Sequence, residues 1–308
     1  MKLTQLITAA AFALAVPLPA VAQGRTQIDT TVRLDPQGTV DLSLISGRIR
    51  VTAWDRPDVR VSATTDGTQR LRFDASPARV TLTIEHDRTR GRHGGGDVRY
   101  DVTVPRGARL NLETVSGDIS ATGTQGEIDA SSVSGDVDVT GGARSVNVES
   151  VSGSVRVSQV NGNLRAESVS GGVRAEGVTG TVEASTVSGM ISLVNIQSRD
   201  VRTESVSGSI LYTGSIDAGG KYDFESHSGT LRLNVPRATG AHVSVETFSG
   251  DVETDFPAVM PPAVSQRRRG SFEFTIGDGR ARITAHTFSG RIMINTRDPV
   301  QPTRRNDD

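Results

Sequence analysis

A Ser-Gly pair recurs along this chain at a nearly fixed interval. The glycines of these pairs are Gly47, Gly117, Gly135, Gly153, Gly171, Gly189, Gly208, Gly229, Gly250 and Gly290. From Gly117 to Gly189 the interval is 18 residues four times in succession, and it then widens to 19, 21 and 21. A half-period of nine lies inside it. The unit at 133–139 runs Val-Ser-Gly-Asp-Val-Asp-Val, and that at 151–157 runs Val-Ser-Gly-Ser-Val-Arg-Val. Residues 160–166 and 178–184 follow the same plan. Positions five and seven are apolar and their neighbours polar, which is the alternation of a half-buried strand. Glycine at position three suits a corner that is crowded or needs a positive φ. One strand and one corner cannot bury an apolar face alone, so the units must stack. The repeat therefore predicts an all-β, parallel, two-sided β-solenoid of 18–21 residues per coil. Each coil should add about 4.8 Å of length.

Composition agrees where it bears on this reading. Aromatic residues are 4% of the chain, too few for a broad aromatic core, and the inward positions are Val and Ala, which suit a thin interior. Cysteine is absent, which excludes disulfides, thiolate metal sites and a lipidated N-terminal cysteine. Lys and Arg number 34 against 35 Asp and Glu, so the chain is not a globally basic nucleic-acid binder.

Residues 1–22 have the form of a signal peptide. Lys2 precedes an apolar run at 6–16, and Ala20-Val21-Ala22 is a small-residue cleavage site. Cleavage after Ala22 would leave Gln23 as the first residue of a periplasmic or secreted protein. No later run is long enough to span a membrane as a helix. Residues 23–110 carry longer alternating strands and are expected to cap the solenoid and continue it; a separate N-terminal domain is the alternative. Regular coils are expected over 111–254. Residues 255–296 should hold a loop, a hairpin of 271–276 with 280–284 about the turn at Gly277 and Gly279, and a last Ser-Gly coil. Residues 297–308 form a polar tail.

Three features together resemble a known family. They are the recurring Glu-Ser-Val-Ser-Gly, the early Val-Thr-Ala-Trp-Asp-Arg-Pro at 51–57, and the closing Gly277-Asp278-Gly279 with Thr287-Phe288-Ser289-Gly290. The chain is similar over residues 31–295 to the bacterial "putative adhesin" domain family, which is of unknown function and related to the head domains called GIN. The resemblance implies a fold. It carries over no catalytic or binding residue.

The residues themselves offer few candidates for chemistry. Ser116-Gly117, Ser134-Gly135, Ser152-Gly153, Ser170-Gly171, Ser188-Gly189 and Ser207-Gly208 are expected to stack as a structural corner ladder, with hydroxyls satisfying the backbone of the turn. A serine nucleophile would need one base and one orienting group, and no histidine tracks the column. Asp118, Asp136 and Asp251 follow the corner glycines, but Ser154, Gly172, Met190 and Ser209 take that place elsewhere, so no repeated calcium cage results. A second column, Glu113, Glu149, Glu167, Glu204, Glu225 and Glu246, is expected to be a charge-balanced solvated face. His86, His93, His227, His242 and His286 show no metal-ligand spacing. Tyr212 and Trp54 are isolated, so no aromatic platform for a sugar is expected. Arg267, Arg268 and Arg269 are a weak candidate for contact with an anion such as lipopolysaccharide, and a solvated loop charge run is the favoured reading.

The expected function is a non-enzymatic adhesive or structural module at the cell envelope, without cofactor. Its partner would be an envelope protein or a polysaccharide, not a nucleic acid. A β-helix carbohydrate-active enzyme and a periplasmic sensor or regulatory partner are the alternatives. A local cleft of acids would favour the enzyme.

Overall fold

The computed structural model describes residues 26–65, 70–85, 98–256 and 270–297. Their regular structure is entirely β. The first strands are β1 (Thr26–Arg33), β2 (Thr39–Trp54), β3 (Asp58–Thr65), β4 (Arg70–Ala75), β5 (Arg79–Glu85), β6 (Val98–Pro105) and β7 (Arg109–Thr124). Short strands follow: β8 (Ile128–Ser132), β9 (Val137–Gly141), β10 (Ser145–Ser150), β11 (Val155–Val160), β12 (Asn163–Ser168), β13 (Val173–Val178), β14 (Val182–Thr186), β15 (Ile191–Ile196), β16 (Asp200–Ser207) and β17 (Ile210–Gly214). The chain closes with β18 (Lys221–Pro236), β19 (Ala241–Ser249), β20 (Val252–Thr254), β21 (Ser271–Ile276) and β22 (Ala281–Arg297).

The coils stack in parallel, each strand pairing with the strand two further along. On one face β8, β10, β12, β14, β16 and the first half of β18 are in register. On the other, β9, β11, β13, β15, β17 and the second half of β18 are in register. The long strands β2, β7, β18 and β22 turn the corner without a break and belong to both faces. Inward residues meet like with like: Val155 lies opposite Val137 and Val173, and all three are buried. Arg156 lies opposite Arg174 and both point to solvent.

The interior changes along the stack. Val, Ala, Ile and Leu fill the regular coils. Toward the C-terminal end Tyr212, Tyr222 and Phe224 enter the core, with Tyr212 packed 5.2 Å from Phe224 and 6.1 Å from Tyr222. Tyr212 is therefore not isolated. Burial pushes its hydroxyl pKa upward, and the hydroxyl donates to the Ser215 carbonyl at 2.7 Å. Trp54 also has partners: its Nε1 donates to the Asp58 carbonyl at 2.7 Å, and the Arg56 guanidinium lies 5.2 Å from its ring.

At both ends the chain order departs from the stacking order. Strand β2 lies between β7 on one side and β5 and β6 on the other, so residues that follow it cover it. Strand β22 lies between β18 and the preceding strands β19 and β20. Antiparallel strands then finish the stack: β4 on β5, β1 on β3, β3 on β6, and β21 on β19. The expected hairpin of 271–276 with 280–284 is not formed. Strand β21 pairs with β19, and β22 runs on the far side of β19. The glycines at 277 and 279 carry a wider crossing, both with positive φ. Alternation alone could not distinguish the two pairings, because both bury the same residues, Phe274, Ile276, Ala281 and Ile283.

The corner opposite the Ser-Gly column has its own rule. Gly123, Gly141, Gln159, Gly177 and Asn195 recur every 18 residues, all with φ between 52° and 109°. Gln159, at φ 57°, holds a left-handed conformation without being glycine. Gln159→Gly should raise stability by about 0.5–1 kcal/mol, since relief of left-handed strain exceeds the entropy glycine adds to the unfolded chain. Urea unfolding of the two proteins measures this, and a loss of stability would mean that the Gln159 side chain makes a compensating contact.

Candidate functional site

The Ser-Gly corner is built by three adjacent columns, each with a distinct duty. The glycines stack directly on one another. A Cβ on Gly153 would fall on the carbonyl oxygen of Gly135; Gly171 stands in the same relation to Gly153, and Gly208 to Gly189. Most of these glycines do not have positive φ; Gly47, at 132°, and Gly229, at 150°, do. Close approach of backbone to backbone, more than turn conformation, is what requires glycine here.

The hydroxyls that bond this backbone are not those of the Ser-Gly serines. Ser116, Ser134, Ser152, Ser170, Ser188 and Ser207 lie exposed on the corner. In most coils the residue two before the Ser-Gly serine carries out the expected duty, although the buried hydroxyls of Thr114 and Ser205 make no hydrogen bond. Ser150 donates to the Gly135 carbonyl at 3.0 Å and accepts from the Gly153 amide at 2.9 Å. Ser168 bridges Gly153 and Gly171 in the same way. Ser132, Thr186 and Ser226 donate to Gly117, Gly171 and Gly208. Burial favours this column over the exposed one, because a buried hydroxyl gains from a partner and a corner carbonyl is within reach.

Between the two serine columns stands an exposed apolar ladder. Val115, Val133, Val151, Val169, Val187 and Val206 are each 44–51% exposed. His227, Phe288 and Phe248 extend the line. Their rings stack face to face, His227 on Phe288 at 4.9 Å and Phe288 on Phe248 at 4.8 Å. Phe248 is 70% exposed. The sequence reading missed this aromatic ladder because the chain order, 227, 248, 288, is not the spatial order. Insertion of β22 between β18 and β19 brings Phe288 into the middle. The signal was nonetheless present, since all three residues occupy the valine position of the repeat.

From Val133 to Phe288 the ladder forms one wall of a groove of about 640 Å³ that runs along the stack. Its floor is the buried hydroxyl column from Thr114 to Ser226. Its other wall is the glutamate column: Glu149, Glu167, Glu204 and Glu225, with Ser131, Ser185 and His286 interposed in register. Arg165 is ion-paired to Glu167 and Glu183, and Arg202 to Glu204. The sheet face beyond this wall is nevertheless acidic, contrary to the expected balance. From β7 to β19 its strands carry ten carboxylates against five Lys and Arg. The strands of the opposite face, from β7 to β20, carry four against five.

The other sequence candidates sit elsewhere. Asp118 and Asp136 accept backbone amides of the next coil, from Asp136 at 3.3 Å and Ser154 at 2.8 Å. The Ser154 amide and the Arg156 guanidinium hold the Asp136 carboxyl below the usual carboxylate range. His242 lies near Thr275, away from His227 and His286. Among the described residues no three of His, Asp and Glu converge on a point. No described helix is long and apolar enough to cross a membrane. Arg267, Arg268, Arg269, His86 and His93 lie outside the described residues.

Fold and corner together define a two-sided parallel β-solenoid with a longitudinal groove. The chain belongs to the Toastrack DUF4097 family, whose model matches residues 39–295. That family is of unknown function. Among solved structures, the chain is similar to a "putative adhesin" from Parabacteroides distasonis ATCC 8503, with 10% identity, 88% of this chain and 97% of that chain covered, and a TM-score of 0.44. A "putative lipid binding protein" from the same organism gives 13% identity, 88% and 96% coverage, and 0.44. A "putative cell adhesion protein" from Clostridium sporogenes ATCC 15579 gives 9%, 88% and 100%, and 0.25. No curated protein matches the chain.

Proposed function

We propose that this protein is an exported, non-enzymatic interaction module of the cell envelope that binds its partner along the Ser-Gly corner. The observation that carries this reading is the valine ladder. A solvated corner needs no apolar residue, yet six regular coils each present a valine about half exposed to solvent. A continuous exposed apolar line, rimmed by polar residues, is the mark of a contact surface. The spread of carboxylates over successive coils, with no convergence among the described residues, supports a binding surface over a single catalytic centre. Export rests on the Ala20-Val21-Ala22 site.

A photocrosslinking residue at Val169, introduced in cells that make the protein, should trap a partner. The same residue at Arg174, on the opposite face, should not. Equal capture at both positions, or none at Val169, would contradict the reading. The protein recovered from the extracytoplasmic fraction should begin at Gln23; an intact Met1 there would contradict the assigned cleavage.

A further inference from the structure

We infer that the partner held in this groove is a basic amphipathic helix, a segment of another protein whose apolar ridge lies on the valine ladder while Lys and Arg reach the glutamate wall. The inference rests on the corner being the contact surface, and adds the chemistry of what occupies it. Three features of the groove select this occupant. The first is charge. The glutamate wall opens onto the face where carboxylates outnumber cations ten to five, and no such excess exists on the other face. An anionic polymer or membrane surface would be repelled there, and so would the same face of a second copy. A cationic partner is drawn to it.

The second feature is length. The lining runs from Thr114 to Phe288, seven coil steps, or about 34 Å at the spacing of paired strands. A helix of about 22 residues is equally long. The third is cross-section. A volume of 640 Å³ spread over that length leaves about 20 Å². A whole helix, about 10 Å across, cannot enter. One row of its side chains can, which is the ridge of an amphipathic helix laid over a groove. The aromatic rings of Phe288 and Phe248 stand at one end of the line, where a larger apolar anchor would rest.

The test uses the full mature chain and two synthetic peptides of about 22 residues and one amphipathic pattern, Leu-Lys and Leu-Glu, with binding read by fluorescence anisotropy. The Leu-Lys peptide should bind at least tenfold more tightly than Leu-Glu, and added salt should weaken it. Combined Val151→Ser, Val169→Ser and Val187→Ser should weaken Leu-Lys binding at least tenfold with the melting temperature retained. Asp200→Asn, on the acidic face but outside the groove, should change it less than twofold. Equal binding of the two peptides would overturn the inference. So would a serine triple variant that binds as well as the parent, since attraction would then be diffuse. If Leu-Lys fails while crosslinks at Val169 persist in cells, the helix is wrong and the corner remains a contact surface. If both fail, the proposed function falls with it.

Discussion

Gly153→Ala should destabilise the protein by about 3 kcal/mol or more, although it adds one methyl group at a surface corner. The methyl would occupy the position of the Gly135 carbonyl oxygen, and Gly153 in turn supports Gly171. The atoms in the way are backbone, so no side chain can rotate to relieve the clash. Relief requires the coils to separate locally, which breaks the Ser150 and Ser168 bridges as well. Gly172→Ala is the matched control. Its Cβ would meet nothing closer than the Met190 carbonyl at 3.3 Å, and its φ is not positive. That change should cost about 1 kcal/mol or less. Urea titration of both variants measures the difference, and equal losses would mean that the glycine ladder is not a steric requirement.

Val155→Asp should be at least as damaging. Val155 is fully buried between Val137 and Val173 in an interior two side chains thick. A carboxylate there finds no cation and no donor, at a cost of several kcal/mol. Neighbouring coils depend on one another, so the loss should spread along the stack and lower the cooperativity of unfolding. Arg156→Ala, one residue on, removes exposed ion pairs to Asp136 and Asp138 at 3.0 and 3.4 Å. Exposed pairs of this kind are worth about 1 kcal/mol or less. If the alanine variant unfolds as readily as the aspartate variant, the inward and outward assignments are wrong.

The regular coils were legible because alternation and glycine spacing are local signals. Val155 and Val157 point inward for the same reason that Arg156 points out, and the 18-residue interval sets which valine meets which. What the sequence concealed was long-range order. Nothing between 241 and 297 states that β22 passes inside β19, since either order buries the same face. The aromatic ladder depends on that order, so its residues were visible and their contact was not. The hydroxyl column was misplaced by two residues for a different reason. Ser150 and Ser152 are the same residue type on opposite sides of Val151, and only burial distinguishes the one that bonds the corner. The acidic face was hidden by pairs such as Arg165 with Glu167, which suggested balance until every strand of that face was aligned.

The valine positions form one straight ladder whose last two rungs exchange chain order. Because the chain has no cysteine, pairs of introduced cysteines can be spin-labelled without interference. With one label at Val115, the second would be placed at Val206, Phe288 or Phe248. These lie five, seven and eight coil steps away, so backbone separations of about 24, 34 and 38 Å are expected at 4.8 Å per step. Double electron–electron resonance should return distances that grow in that order, with residue 288 nearer to 115 than residue 248 is. A distance to 248 shorter than that to 288 would contradict the inserted last coil, and distances that do not grow with coil number would contradict the solenoid itself.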